Sequence, residues 1–329
     1  MMHACVPPEL IPSTAVGYDL LKTKDHLLKR SNERTAMECR LFLKREEILG
    51  EGILCLPDAD LIAWVDILGK KLMLSDSKGD NIRVFKQPSE IGAVLPSVTD
   101  DLILVLRNSV IRFNPISFSN REIWSAAEIE PKTNRFNDAT VDPLGNLWLG
   151  SMDFEAKYPS GVLYRITPDG EANEMETGFR CINGPAFSID CKTIYVGDTM
   201  NGQVLAFDHD PIYGSITNKR VHIDFGIFDG LPDGMTVDAQ DNLWVCQITA
   251  GRISCFDSSG VKLRSIALPV PMVTSCCFGG PELTSIYVTT ARIILDSPDL
   301  NAYRDSGSIY LIESAGKGLK PNKFGENAS

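Results

Sequence analysis

Histidine is scarce in this chain: four residues in 329, His3, His26, His209 and His222, spread too widely to form a ligand set in sequence. A histidine-built zinc site is therefore not expected. Cysteine is more frequent, with nine residues, but the number is odd and no CxxC pair occurs. That leaves no zinc ribbon or thioredoxin-type motif, and reduced, mostly buried thiols are expected. No apolar run approaches the ~18 residues that a membrane span needs, and the first residues lack the apolar core of a signal peptide. A cytoplasmic protein without a membrane partner is the expectation. Basic residues are outnumbered, 32 Lys and Arg against 43 Asp and Glu, giving a net charge of -11. A nucleic-acid partner, which asks for a basic patch, is not expected either. What is present is ordinary for a soluble globular chain, 43% hydrophobic and 23% charged, with enough apolar residues for a large core. A monomer or weak oligomer is expected.

Residues 1–36 stand apart. Pro7, Pro8 and Pro12 break early structure, and residues 17–34 carry a weak helical pattern in Leu20, Leu21, Leu27 and Leu28. Asp19, Asp25 and Glu33 dilute its basic character, so a mobile extension or short helix is expected, with Met37 a candidate alternative start. After it, one unit repeats. A polar or small residue, often beside glycine, is followed about a dozen residues later by an apolar-aromatic strand, a turn and another strand. The unit starts are Glu51, Gly92, Asn137, Asn183, Asp233 and Ser275, at steps of 41 to 50 residues. Six copies at such steps match the blade length of a β-propeller. Residues 37–315 are thus expected to form an all-β, six-bladed propeller of four-stranded blades. Residues 39–45 would close the ring as an outer strand of the last blade, beside residues 307–312. Trp64, Trp148, Tyr195, Trp244 and Tyr287 would pack between blades. Residues 316–329, rich in Lys, Gly, Asn and Ser, read as a surface tail.

In a propeller the unit starts face one end of the central channel. Leu231-Pro232-Asp233-Gly234 reads as a polar turn before a strand, and it places Asp233 there with Glu51, Asn137 and Asn183. Two carboxylates and two amide oxygens make an all-oxygen set suited to one hard divalent cation, calcium, magnesium or manganese, with zinc also compatible. Asp198 is expected on an innermost strand, behind these ligands.

The segment Arg135-Phe136-Asn137-Asp138, followed by Val141-Asp142-Pro143, resembles the RFND motif of the gluconolactonase family that includes senescence marker protein (regucalcin). Leu49-Gly50-Glu51-Gly52, Ile182-Asn183-Gly184, Pro232-Asp233-Gly234-Met235 and residues 274–280 and 287–292 resemble the family's other motifs, in order. The resemblance implies that Glu51, Asn183 and Asp233 bind the metal and that Arg135 and Asn137 contact a sugar lactone. It also implies a substrate-contacting acid in the loop of residues 152–160, with Glu155 first and Asp153 second. The expected reaction is lactone hydrolysis in carbohydrate metabolism, the metal polarising the carbonyl and Asp233 orienting or deprotonating water. The alternatives are a phosphotriesterase-like propeller hydrolase and a non-catalytic calcium-binding regulatory protein.

Overall fold

The computed structural model describes residues 39–226 and 229–325. The N-terminal extension, with its helical pattern and Met37, lies outside these residues. The described chain is almost all strand, in six separate four-stranded antiparallel sheets, with one α-helix among the described residues, Ser297–Ala302. No helix among them is long and apolar enough to cross a membrane. The innermost strands of blades 1 to 6 are Gly50–Leu56, Ile91–Pro96, Asn134–Val141, Ile182–Phe187, Leu231–Val237 and Val273–Gly279. Each packs against the innermost strands of both neighbours, which closes a six-bladed β-propeller. The last blade takes its outer strand from the chain's beginning: Cys39–Leu43 runs antiparallel to Ile309–Ile312, Cys39 opposite Ile312 and Leu43 opposite Ile309. The ring therefore cannot open without breaking that ladder.

All six innermost strands slip register against their neighbours near the same point. The slips fall between Glu51 and Leu54, Ile91 and Ala93, Phe136 and Ala139, Asn183 and Ala186, Pro232 and Met235, and Val273 and Cys276. Such bulges leave residues unpaired and re-aim their side chains. The stretch around Asp233, read above as a turn before a strand, is thus one strand, Leu231–Val237, with a bulge inside it. The glycines beside the polar residues serve this crowding rather than a turn. Gly184 has φ +41°, and a Cβ there would lie 2.6 Å from the Met235 nitrogen; one on Gly234 would lie 2.8 Å from Ser275 Cα. Only glycine lets neighbouring strands approach so closely around the channel.

Two blades share a buried polar hub. Asp238 accepts the backbone N–H groups of Gln240 and Asn242, the Asn242 amide, and the Trp244 indole N–H at 2.9 Å. Asp142 does the same for Leu144, Asn146 and Trp148. The turn and the interblade tryptophan are thereby tied to one carboxylate. In blade 1, Asp58 holds the matching place six residues before Trp64 but pairs with Lys320 at the surface, and the Trp64 indole N–H is left without a partner.

The segment after the last strand is not a free tail. Lys317 O accepts from Ala239 N, Asn322 Nδ2 donates to Val141 O, and Phe324 exchanges backbone hydrogen bonds with Pro96 and Val98. Phe324 is fully buried. Its lone aromatic ring and the backbone bonds offset the polar composition that suggested a tail. Asp238→Ala should lower the unfolding free energy by about 3 kcal/mol, because it strands an indole N–H and turn amides in the core. Urea denaturation checks this; an unchanged midpoint would refute the hub's role.

Candidate metal and substrate site

Glu51, Arg135, Asn137, Asn183, Asp233 and Glu155 all line one cavity of about 160 Å³. It is reached from the end of the channel where the innermost strands begin. A second cavity of about 470 Å³ lies among the later residues of the same strands, and residues 319–322 of the C-terminal segment line it. Glu51, Arg135, Asn137, Asn183 and Asp233 are buried, while Glu155 is exposed.

A relay of hydrogen bonds fixes the amides. Arg135 Nη1 donates to Asn137 Oδ1 at 2.6 Å and to Phe136 O at 3.1 Å. Asn137 Nδ2 donates to Asn183 Oδ1 and to Ile182 O, both at 2.7 Å. Asn183 Nδ2 donates to Thr199 Oγ1 at 2.7 Å. Each amide's donor and acceptor ends are thus set by its partners. Both Asn137 amide hydrogens are spent within the protein, so toward a ligand Asn137 keeps only acceptor capacity.

The carboxylates are less settled. Burial, then the charges of Asp233 and Asp138, holds the Glu51 pKa well above the usual carboxylate range. Burial, then Asp138, does the same for Asp233. Asp233's charge is among the causes that raise Glu51, so the metal-free pair resists double ionisation. Asp233 Oδ1 is buried without a hydrogen-bond partner. Asp138 lies behind them, accepting from Gly184 N at 2.7 Å and Ala139 N at 2.8 Å, and burial pushes it up to about 6. Arg135, its own pKa lowered by burial, is the cation that acts on Asp233. Three buried acids beside one guanidinium, with a partnerless carboxyl oxygen, suit a divalent cation that offsets their charge. Among the described residues no three His, Cys, Asp or Glu side chains form a ligand cluster. Glu51, Asp233 and the Asn183 amide oxygen are the cavity groups that could hold such an ion.

Other expectations land differently. Asp198 does not lie on an innermost strand. It ends the second strand of blade 4, Thr193–Asp198, paired outward from Ile182, and does not line the cavity. The loop of residues 152–160 follows the second strand of blade 3, Leu147–Asp153. In it Asp153 is buried and accepts from Lys157 N, while Glu155 reaches the cavity. Thr199 was not foreseen; it opens a short turn after a second strand, outside the repeat of unit starts. Phe154 was also missed. Its ring centroid lies 5.3 Å from the guanidinium of Arg107 and 5.8 Å from that of Arg135.

Residues 49–292 match the family model described as the SMP-30/gluconolactonase/LRE-like region. The chain belongs to this family. Among its relatives is regucalcin of Danio rerio, 30% identical over 88% of this chain and 98% of that protein. Another, from Bacillus subtilis (strain 168), carries the provisional name sugar lactone lactonase YvrE and is 29% identical over 88% of this chain and 99% of that one. A solved structure of a luciferin-regenerating enzyme is 28% identical and superposes with a TM-score of 0.81, covering 88% of this chain and 99% of that chain. The family match begins at the innermost strand of blade 1 and ends just past the second strand of blade 6, so it spans all six innermost strands.

Both acids have folded pKa values above their unfolded ones. Between those values the folded protein holds more protons than the unfolded chain, so the metal-free protein loses this contribution as pH rises through the window. The melting temperature of chelator-treated protein should therefore fall more between about pH 5 and about pH 8 in the native chain than in Asp233→Asn. A divalent cation at a hundredfold excess over its Kd should restore about 2.7 kcal/mol, more fully at the higher pH. Equal pH profiles for the two proteins would contradict the paired-acid reading.

Proposed function

We propose that this chain is a divalent-metal-dependent lactonase that hydrolyses a cyclic ester of the sugar-acid class, aldonolactone to aldonic acid. The observation that carries the proposal is the buried Glu51–Asp233 pair, with a partnerless carboxyl oxygen beside Arg135, at the floor of an open cavity. Membership of the SMP-30/gluconolactonase/LRE-like family and the name of the Bacillus relative support it. Glu51, Asn183 and Asp233 would hold the metal, and a bound cation supplies Lewis-acid polarisation of the lactone carbonyl. The chain's own residues do the rest. Asp233 Oδ1 orients the attacking water and takes its proton as the oxygen adds to the carbonyl carbon. The ring C–O bond then breaks, and the ring oxygen leaves as a hydroxyl on receiving the proton that Asp233 took from the water. Arg135 uses Nη1 in the relay, and its remaining donors hold the substrate in line. The relay through Asn137 to Asn183 keeps that guanidinium and the amide oxygen in fixed register, so little reorganisation accompanies the reaction.

A second reading, hydrolysis of a neutral phosphotriester, gains from the apolar side chains around the cavity. The buried guanidinium weighs against it, since an anionic or oxygen-rich group suits Arg135 better.

Proton release from a panel of γ- and δ-aldonolactones tests the proposal. Turnover should vanish with chelator, return on metal add-back, and fall by about 10²- to 10⁴-fold in Asp233→Asn. No metal-dependent proton release across the panel would sink the lactonase reading.

A further inference from the structure

We infer that Thr199 is a positioning residue for the metal site, its hydroxyl fixing the Asn183 amide so that Oδ1 rather than Nδ2 is presented to the cation. This rests on the metal set proposed above and adds to it a residue that acts through Asn183. The hydrogen bonds form one directed chain. Arg135 Nη1 donates to Asn137 Oδ1 at 2.6 Å, Asn137 Nδ2 to Asn183 Oδ1 at 2.7 Å, and Asn183 Nδ2 to Thr199 Oγ1 at 2.7 Å. The Thr199 hydroxyl hydrogen-bonds the Cys181 thiol, and Cys181 Sγ donates to the Met152 thioether at 3.4 Å. Chemistry fixes both ends. A guanidinium only donates, and a thioether sulfur only accepts. Each group between them therefore accepts from the side of Arg135 and donates toward Met152. Thr199 gives its one O–H to Cys181, so toward Asn183 it offers only an acceptor. A turned Asn183 amide would set its Nδ2 against Asn137 Nδ2, donor against donor, and its Oδ1 against a hydroxyl whose hydrogen is already used.

The fold holds Thr199 in place for this. Its backbone N–H donates to Cys181 O at 3.0 Å, and its carbonyl accepts from Gly202 N at 2.9 Å. Gly202, at φ +67°, ends the turn Thr199–Asn201, and Asn201 Nδ2 donates back to Asp198 Oδ2 at 2.7 Å. Thr199 and Asn183 are both buried and both line the cavity. Without the hydroxyl, the Asn183 N–H loses its strong acceptor in the core; the Cys181 sulfur, 3.7 Å from Nδ2, is a weaker one. The amide relieves that cost by rotating, which takes Oδ1 out of the ligand set. Partners that orient a metal ligand in this way change metal affinity by about 10- to 100-fold when they are removed.

Calorimetric titration of calcium, and separately of manganese, into the chelator-stripped full chain tests this without reference to turnover. Thr199→Val, which keeps the shape and loses the hydroxyl, should weaken cation binding roughly tenfold. Thr199→Ala should do the same and serves if the first variant does not fold. Thr199→Ser, which restores the oxygen, should bind within roughly threefold of the native chain. Affinity unchanged in a folded Thr199→Val or Thr199→Ala protein, or a Thr199→Ser protein as weak as Thr199→Val, overturns the inference. Failure of the native chain to bind either cation overturns it together with the metal-dependent reading. Absence of lactone turnover in the native chain, with the affinity pattern intact, sinks the lactonase reading alone and supports the role of Thr199.

Discussion

Two carboxyl groups buried within hydrogen-bonding reach of each other dominate the centre of this molecule. Two unit charges about 4 Å apart interact by about 4 kcal/mol at an effective dielectric of 20, so Glu51 and Asp233 cannot both ionise there without a counter-charge. Asp138 behind them adds to the repulsion. Arg135 answers only part of it, because burial lowers its own pKa and it gives Nη1 to Asn137 and Phe136. The pair must hold either a proton or a cation, and that choice couples the site's occupancy to the protein's stability and to pH.

The scaffold is organised to impose this proximity. Nothing in an isolated strand brings residues 51 and 233 together; the ring does. The innermost strands all bulge near the same point, and Gly184 and Gly234 let neighbouring backbones close in around the channel. The ring is secured by the ladder between Cys39–Leu43 and Ile309–Ile312, by the Asp142 and Asp238 hubs under their tryptophans, and by the strap that buries Phe324. The repulsive centre is thus offset by an extensive rim of satisfied polar groups and apolar packing.

Much of this was legible in the sequence because the repeat writes it six times. Strand, turn and strand at steps of 41 to 50 residues give the propeller, and the shared position of Glu51, Asn137, Asn183 and Asp233 gives their convergence. The features that escaped lie outside the repeat or depend on register. Thr199 comes from a turn after a second strand, so its approach to Asn183 has no counterpart in the unit starts. Asp198 was misplaced by one strand, since pattern alone does not say which strand of a blade is innermost. Asp-Gly at 233–234 resembles a hairpin turn in sequence and is a bulge in space, because the neighbouring strand at Ser275 leaves no room for a side chain. The strap was masked by polar composition, with one aromatic ring to mark it. Ile48, Leu68, Met200 and Ile293 reach the cavity from distant loops, and no local pattern announces them.

The central claim is that the carboxyl pair exchanges a proton for one divalent cation. Calorimetric titration of calcium, magnesium, manganese and zinc into chelator-stripped protein, in two neutral buffers of different ionisation enthalpy, measures stoichiometry and proton release together. One cation per chain should bind with net proton release, and both signals should disappear in Glu51→Gln. Binding without proton release, or binding unchanged in Glu51→Gln, would contradict it.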